Sequence, residues 1–409
     1  MELLPTLRAL ARRKSGVALS LLQIALTVGI LSNALAIVQQ RLQHMQAPSG
    51  VDEADVFTMT NQFVGPALDL SARIQGDLAV LRSIPGVVDA AAMQSFPLRG
   101  YGASTFVKLH ADQQQPTANV ASYAATPGAM HTLGVRIIAG REFTPTEVRE
   151  LRFGIDRPEP AVTIITQSLA RRLFPRGDAL GQVIYVSAGQ PSRVVGIVAE
   201  AAEPWAGQAN GDNGLFGTDW SVFLPYQWVS PYIAYVVRTR PGMSARLLPV
   251  AERRLMAFSR ARVLSEAQTF AETRAEQYRT DRSLGLILAV VCVALLLVTA
   301  MGLVALTTSW MVQRRRQIGM RRALGARRTD ILWQFQFENL LISLGGAALG
   351  CAVALIANVW LEIRFSMQPL GVRFLLLGAA VVLALGQLAV LWPALRASAV
   401  PPTEAMRSA

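Results

Sequence analysis

The sequence predicts an α-helical membrane protein with four transmembrane helices and an α+β extracytoplasmic domain inserted between the first and second. Two observations support this fold class. Of the 409 residues 52% are hydrophobic and only 16% are charged, which is too little charge to cover a soluble protein of this size. Four windows without a charged residue also reach the roughly 20 apolar residues that a helix needs to cross a bilayer.

The four windows, 15–40, 283–313, 339–361 and 374–395, set the order of the chain. The second is longer than a bilayer requires, so its helix is expected to project beyond the membrane. The predicted segments are a cytoplasmic amphipathic helix (1–14), a first span (15–40), the outer domain with a stalk helix (41–282), a second span (283–313), a cytoplasmic docking loop (314–332), a third span (333–361), a short outer loop (362–373), a fourth span (374–395) and a cytoplasmic tail (396–409).

Arginine placement predicts the direction of these spans. Segment 1–14 carries four basic residues and segment 314–328 carries seven arginines, whereas 362–373 has only Arg364 and Arg373 with Glu362. Because basic loops stay on the cytoplasmic side, both termini are expected inside a bacterial inner membrane and 41–282 outside it. Segment 39–282 has 24 basic and 22 acidic residues, so +10 of the net charge of +12 lies in the rest of the chain, beside the membrane, which argues against a nucleic-acid partner.

A cleavable signal peptide is the alternative for the first window. Its basic start fits a signal sequence, and residues 34–36 (Ala-Leu-Ala) offer a cleavage site. The apolar run nevertheless continues past that site through Ile37 and Val38, which favours an uncleaved span.

The outer domain reads as short β-rich runs separated by Gly/Pro turns, with helices between them. This pattern predicts α+β lobes with antiparallel or mixed sheets. The segment 206–220, rich in Gly, Asn and Asp, is expected to be a long surface loop, with substrate or partner contact as the alternative. The strand candidates are 56–60, 161–166, 183–186, 193–198, 222–225 and 234–239, and the helix candidates are 70–83, 168–174, 245–258 and 265–280, the last leading into the second span as a stalk.

Few residues in this sequence suggest catalysis. The only Lys followed by Ser or Thr is Lys14, and Arg13 precedes it, so no loop of the Gly-Lys-Ser/Thr type can cradle phosphate. The carboxylates Asp52, Glu53 and Asp55 form the densest acidic cluster, for which solvated loop charges are the simpler interpretation and acid/base or metal chemistry the alternative. The three histidines, His44, His110 and His131, are scattered, and no metal ligand set or cofactor is expected.

Small and amide residues in the spans predict helix packing. Gly346 and Gly350 form a small-xxx-small face that lets backbones approach closely, either inside the bundle or between protomers. The amides Asn33, Asn358 and Gln387 are expected to bridge neighbouring helices rather than line a pathway.

The cytoplasmic segment 313–330 has a pattern of apolar residues and glycines that a topology signal, which needs only arginine, does not require. Gly319 and Gly325 punctuate two short helical pieces, and Ile318, Met320 and Leu324 stand among seven arginines. An apolar pattern of this kind predicts a docking element for a cytoplasmic partner, and the alternative is that the arginines serve only topology.

These residues resemble the MacB/FtsX-like permease family of ABC transporters. The loop signature is similar at 314–319 (Arg-Arg-Arg-Gln-Ile-Gly), at 321–326 (Arg-Arg-Ala-Leu-Gly-Ala) and at 330–331, and the C-terminal signature at 393–397 and 402–407. In the outer domain, 140–143, 168–174, 180–181 and 194–198 resemble the family's periplasmic core domain. Gln317 stands where the family usually has an acidic residue, so a salt bridge at that position would be missing.

The resemblance implies a dimer, with a second copy or a paralogue, bound to two cytoplasmic ABC ATPase subunits that hold ATP and Mg. No ATPase domain precedes the first span, so the motor is expected on a separate polypeptide. Nucleotide-driven closure of the ATPases would move the stalk helices and the outer domain, for export or efflux, and a periplasmic adaptor is a further expected partner. The residues expected to dock on the ATPase are Gln317, Ile318, Gly319, Met320, Arg321, Arg322, Leu324, Gly325 and Ala326.

Two other functions stay open at this point. One is a regulatory scaffold that relays ATPase motion to an outside enzyme such as a cell-wall hydrolase. The other is a membrane-anchored receptor without a motor, which the docking segment disfavours.

Overall fold

The computed structural model describes residues 14–65, 69–152, 154–156, 159–187, 190–205, 216–314, 320, 327–365 and 369–398. The chain divides into two compact units. The membrane unit comprises the chain up to Gln43 together with the chain from Asp281 onward, and the soluble unit is His44–Thr280. The predicted amphipathic helix before the first span and the C-terminal tail beyond Ser398 lie outside the described residues.

Four of the helices in the described residues are long and apolar enough to cross a membrane, which confirms the predicted four spans. The helices are α1 (Lys14–Gln46), α2 (Leu70–Arg82), α3 (Ala129–Leu133), α4 (Gln167–Leu173), α5 (Ser244–Phe258), α6 (Phe270–Gln277), α7 (Arg279–Gln313), α8 (Arg328–Phe365) and α9 (Val372–Ser398). The four long apolar helices are α1, α7, α8 and α9, and each extends beyond its predicted window. The 35 residues of α7 are roughly 50 Å long at about 1.5 Å per residue, more than a hydrocarbon core of roughly 30 Å.

The first span is packed inside the membrane bundle. Ile24 and Val28 of α1 are fully buried, in one apolar cluster with Leu303 of α7, Ile342 of α8 and Val382 of α9. Cleavage after residue 36 would remove this packed helix and leave its partners exposed, so the structure favours the uncleaved span over the signal peptide.

The soluble unit contains one antiparallel sheet, one mixed sheet and a short parallel pair. The strands are β1 (Val56–Phe63), β2 (Val87–Met93), β3 (Ala103–Lys108), β4 (Ala118–Ala124), β5 (Ile137–Gly140), β6 (Arg149–Arg152), β7 (Val162–Thr166), β8 (Val183–Val186), β9 (Gln190–Val198), β10 (Phe216–Leu224), β11 (Tyr226–Val229), β12 (Tyr232–Thr239) and β13 (Arg262–Thr269).

The antiparallel sheet has the order β13-β1-β12-β2, and the mixed sheet the order β5-β9-β7-β10-β4-β3-β8. Strand β8 also pairs with β9, so six strands of the mixed sheet close into a ring. The parallel pair, β6 and β11, completes the α+β domain.

Side chains from both faces of the antiparallel sheet are buried. On one face Phe57 and Tyr235 pack under Leu78 of α2 and Leu255 of α5. On the other face Val56, Ala234 and Val236 share a core with Tyr123 and Phe223 of the mixed sheet. Since successive strand residues point to opposite faces, this double burial explains why β2 and β12 carry apolar residues at successive positions.

One ion pair lies entirely within the soluble core. The guanidinium of Arg262 in β13 donates to both carboxylate oxygens of Asp77 in α2 at 2.7 Å, and the Tyr235 hydroxyl donates to the same carboxylate at 2.6 Å. Both charged side chains are at most 1% exposed. Because one charge left unpaired there would cost about 3–5 kcal/mol, the pair fixes the position of α2 against the edge strand.

The predicted strands all occur, most of them longer than expected. Seven further strands, β2 to β6, β11 and β13, had no sequence prediction, because short runs such as Ala103–Lys108 mix small and polar residues. The helix candidates 70–83, 168–174 and 245–258 correspond to α2, α4 and α5.

Two predictions for the soluble unit are wrong in part. Residues 265–269 of the expected stalk helix belong to β13, because backbone pairing with β1 outweighs their helical pattern. The remaining helix, α6, ends at Gln277, and Tyr278 interrupts it before α7, so the stalk is not one continuous helix. Of the expected loop 206–220, residues from Phe216 onward form β10, and 206–215 lie outside the described residues.

Candidate functional site

The described residues include both flanks of the predicted docking segment but little of the segment itself. Among the expected docking residues, Met320 is described, with a half-exposed side chain. The others, Gln317, Ile318, Gly319, Arg321, Arg322, Leu324, Gly325 and Ala326, lie outside the described residues. The geometry of the site is therefore that of the end of α7 and the start of α8.

An ion pair joins these two helix ends. The Arg314 Nη1 donates to both carboxylate oxygens of Glu338, at 2.9 and 2.8 Å, and Gln334 Nε2 donates to the same carboxylate at 3.3 Å. The side chains of Arg314 and Glu338 are 15% and 5% exposed. Charge-assisted hydrogen bonds in such a shielded place are stronger than surface ones, so the pair holds the end of α7 against α8.

Apolar packing and a helix cap reinforce this arrangement. Met311 of α7, Ile331 and Phe335 of α8 and Ala394 of α9 form one buried cluster. The Asp330 carboxylate accepts from the Arg327 backbone N–H at 3.0 Å and places negative charge in the first turn of α8, where the helix dipole favours it. The segment 315–326 thus begins and ends at fixed points, a geometry suited to presenting a binding element.

Sequence reasoning missed Glu338 as a functional residue. The absence of an acid at position 317 suggested a missing salt bridge, yet Arg314 is paired by an acid from the next helix. The signal was available, because Glu338 is a lone acidic residue at the border of an apolar span, and such residues are rarely without a partner.

The small-residue face of α8 packs against α1 within the same chain. A Cβ atom at Gly346 would lie 2.7 Å from the Ile24 Cβ, and one at Gly350 would lie 2.6 Å from the Val28 Cβ and 2.8 Å from the Ala25 carbonyl oxygen. Real Cβ atoms do not approach so closely, so both positions require glycine for the two helices to touch. We call these contacts the glycine seam.

Of the three amides expected to bridge neighbouring helices, Asn33 does so, and Asn339, which was not among them, forms a second bridge. Asn33 Nδ2 of α1 donates to the Ala354 carbonyl of α8 at 3.1 Å, and Asn339 Nδ2 of α8 donates to the Gly386 carbonyl of α9 at 3.0 Å. Asn358 accepts from the Leu370 N–H at 2.9 Å, just before α9. The Gln387 side chain forms no such bridge, but its carbonyl accepts from Gln336 Nε2 at 3.3 Å.

The acidic cluster after the first span is used for structure. Asp52 pairs with Arg238 at 2.7 Å, Glu53 pairs with Arg274, and Asp55 accepts from the Gly242 N–H at 2.9 Å. Each of these three carboxylates thus has a partner inside the soluble unit. In the described residues no group of three His, Cys, Asp or Glu side chains is arranged to hold a metal ion.

Two acids in the soluble unit, Glu203, which is buried, and Asp219, which is half-buried, were not singled out by the sequence pattern. Glu203 is 8% exposed, and Asp219, at the far side of the 206–218 segment, accepts from the Ala201 N–H at 2.8 Å and the Ser168 hydroxyl at 2.9 Å. Burial, strengthened by the charge of Asp219, raises the pKa of Glu203 to about 7. Burial and the nearby Glu200 raise the pKa of Asp219 to about 6, against its hydrogen bonds. Burial raises the pKa of the adjacent Tyr123 hydroxyl, and the charges of Glu203 and Asp219 raise it further.

Family models match most of the chain. Residues 15–248 match the model described as the MacB-like periplasmic core domain, and residues 289–402 match the FtsX-like permease C-terminal domain. The macrolide export ATP-binding/permease protein MacB of Chromobacterium violaceum is 27% identical over 228 residues, which are 54% of this chain and 32% of the relative. MacB of Escherichia coli K12 is 29% identical over 231 residues, 52% of this chain and 34% of the relative. The chain thus matches about a third of the length of these curated relatives.

Two solved structures have distant similarity to part of this chain. The periplasmic region of MacB from Actinobacillus actinomycetemcomitans has 14% identity and a TM-score of 0.33, over 57% of this chain and 98% of that one. The extracellular domain of the ABC-type transporter YknZ from Gram-positive bacteria has 18% identity and a TM-score of 0.31, over 51% of this chain and all of that one.

The glycine seam predicts a specific packing defect. Gly350→Ala should lower the apparent melting temperature of the purified full chain, because the new methyl group forces α1 and α8 apart, at about 1–3 kcal/mol. Gly285→Ala is the matched control, since no atom lies within 4 Å of a Cβ there and alanine is the better helix former. Equal melting temperatures for Gly350→Ala and the parent would contradict the seam.

Glu203 and Asp219 predict that the stability of the chain falls as pH rises. Their folded pKa values, about 7 and about 6, exceed the ordinary 4.5 and 3.8, so their contribution to stability is full below the ordinary values and is lost as pH rises through 6 to 7. Between pH 5 and 8 the parent should therefore lose several degrees of melting temperature more than Asp219→Asn or Glu203→Gln. Thermal unfolding of the full chains across this range measures the difference, and parallel curves would refute it.

Proposed function

Because the chain belongs to the MacB/FtsX-like permease family of ABC transporters, we propose that it is a membrane-spanning subunit that couples ATP hydrolysis to movement of its α+β domain. The hydrolysis takes place on an ABC ATPase outside these 409 residues, which holds the ATP and Mg. The work performed is export, in keeping with relatives named for macrolide export.

One observation carries the coupling proposal. The docking segment runs between two helix ends that the Arg314–Glu338 pair and the Met311 cluster hold together. A force applied to a segment anchored in this way moves both helices, whereas a loop with free ends would absorb it. Docking on the ATPase would use Ile318, Met320 and Leu324 as apolar anchors, with Arg321 and Arg322 contacting acidic groups at the rim.

The assembly we propose contains two permease chains, either identical or paralogous, and two ATPase subunits. A periplasmic adaptor is a further partner. The protein lies in a bacterial inner membrane, with both termini and the docking segment in the cytoplasm and the α+β domain outside. Arginine placement supports this direction, because basic loops are retained on the cytoplasmic side.

Single-cysteine labelling tests the direction. In a background with Cys292 and Cys351 replaced by serine, Gln114→Cys should react with a membrane-impermeant thiol reagent in intact spheroplasts, and Thr329→Cys should not. Both positions are exposed, so accessibility within the fold does not limit labelling. Both cysteines should react after permeabilisation. Reaction of Thr329→Cys in intact cells would reverse the proposed topology.

Co-purification tests the docking segment. Leu324→Asp should abolish capture of the ATPase encoded with this chain, because interface energy is concentrated in a few buried anchors, each of which costs about 2 kcal/mol or more when lost. The matched control is Arg327→Ala, at the exposed border of the segment, where ATPase capture should be retained. At equal membrane levels, retained capture by Leu324→Asp would show that the arginines serve topology alone.

A further inference from the structure

The short helix α6 lies between β13 of the soluble unit and α7, the second membrane-spanning helix, in the chain. A capping box starts it, in which the Thr269 hydroxyl accepts from the Glu272 N–H at 3.3 Å and the Glu272 carboxylate accepts from the Thr269 N–H at 2.8 Å. Phe270 at its start and Tyr278 just after its end are buried in the core between the two sheets. The Phe270 ring lies 6.3 Å from that of Phe96. Because Phe270 and Tyr278 are buried in this core, a displacement of α6 would also displace side chains of the core.

Arg274, in the middle of α6, reaches the other connection of the soluble unit. Its Nη2 donates to the carbonyl oxygens of Met45 at 2.7 Å and Ala47 at 2.5 Å, and its Nη1 pairs with the Glu53 carboxylate. Ser49 holds the same carboxylate through its hydroxyl at 2.6 Å. The Arg274 side chain is 19% exposed and the guanidinium carbon lies 5.6 Å from the Tyr278 ring centre.

These bonds require a guanidinium. The Met45 carbonyl belongs to the last turn of α1 and the Ala47 carbonyl follows that helix, so neither has a partner further along it. Only a planar group with several N–H donors can serve two carbonyls and a carboxylate together, and a lysine ammonium lacks this fixed geometry. The segment leaving α1 and the segment approaching α7 are therefore held by one side chain.

The same two helices are also joined within the membrane unit. Arg41 of α1 pairs with Asp281 of α7, whose carboxylate is 6% exposed. Deeper in the bundle, the hydroxyls of Thr27 and Thr299 lie 2.7 Å apart, and Gln23 Nε2 donates to the Val298 carbonyl at 3.0 Å. An ion pair and hydrogen bonds thus join α1 and α7 at several positions along their length. In the soluble unit, Arg274 joins the segment that follows α1 to the segment that precedes α7.

We propose that Arg274 is a coupling residue, which makes the two connections of the soluble unit move as one, so that displacement of α1 and α7 reaches the core around Phe270. Without it the two connections bend independently, and ATP hydrolysis continues without movement of the outer domain. This inference rests on the proposed function and adds to it the residue through which motion is delivered. Arg274 touches no substrate and acts as a positioning residue.

The test uses the full chain with its ATPase in lipid nanodiscs. Spin labels at Val88 on β2 and Leu180 before β8, both exposed, report the distance between the two sheets in a chain whose native cysteines are replaced by serine. Labelled chains are diluted with unlabelled ones, so that only distances within one chain are measured. In the parent, ATP should shift this distance. Absence of a shift would overturn the inference, because motion would then not reach the core, and the proposed function would still stand or fall on ATPase capture.

Arg274→Met should abolish the ATP-dependent shift while ATPase turnover stays within about twofold of the parent and ATPase capture is unchanged. Arg274→Lys keeps the charge beside Glu53 but loses the paired carbonyl bonds, and it should lose most of the shift even if Arg274→Met proves too unstable to purify. Arg279→Met is the matched control, because its side chain is 74% exposed and pairs with Glu276 on the surface.

A shift retained in both Arg274 variants, with a normal shift in the parent, would overturn the inference and leave the proposed function intact. A shift lost equally in Arg279→Met would also overturn it, since any change near the α6–α7 junction would then have the same effect. The distance measured without ATP distinguishes a merely structural role. Loss of coupling leaves this resting distance as in the parent, whereas a changed or broadened resting distance in both Arg274 variants would show a disrupted soluble unit and overturn the inference.

Discussion

The membrane unit depends on the close approach of α1 and α8 at the glycine seam. In a bilayer no hydrophobic effect drives helices together, so contact area and polar bonds must do so. Gly346 and Gly350 supply the contact because α8 has no side-chain atom at the two places where Ile24 and Val28 of α1 lie against it. With α1 drawn into this position, Ile24 and Val28 become fully buried and α7 and α9 pack around them. Loss of that contact would leave α1 as one more helix facing lipid.

Ion pairs then fix what the apolar packing leaves free to slide. Arg314–Glu338 sets the end of α7 against α8, and Arg41–Asp281 sets its start against α1. In the soluble unit Arg262–Asp77 plays a similar part between β13 and α2, with Tyr235 completing the hydrogen bonds. The acidic partner of each pair is buried, where directional bonds are strong and an unpaired charge is costly, so each pair defines one register between two elements.

The soluble unit combines two well-paired sheets with a segment around Glu203 whose stability depends on pH. Closure of six strands into a ring leaves few open edges, and the antiparallel sheet is covered on both faces. By contrast, the segment that carries Glu203 is held by bonds such as that from the Tyr123 hydroxyl to the Ala202 carbonyl at 2.6 Å, beside two carboxylates without a cationic partner in the described residues. The protonation of these acids therefore affects the junction of the two sheets more than the sheets themselves.

The sequence by itself determined the four spans, the inserted α+β domain and the family, because hydrocarbon thickness, periodicity and local motifs act over short stretches of chain. It also identified Gly346 and Gly350 as packing positions. It could not show that Glu338 would pair with Arg314, that 265–269 would be a strand, or that Arg274 would join Met45 to Glu53. Such contacts link residues far apart in the chain, and their partners are chosen by tertiary packing, which overrides local helical pattern and leaves no periodic signal in the sequence.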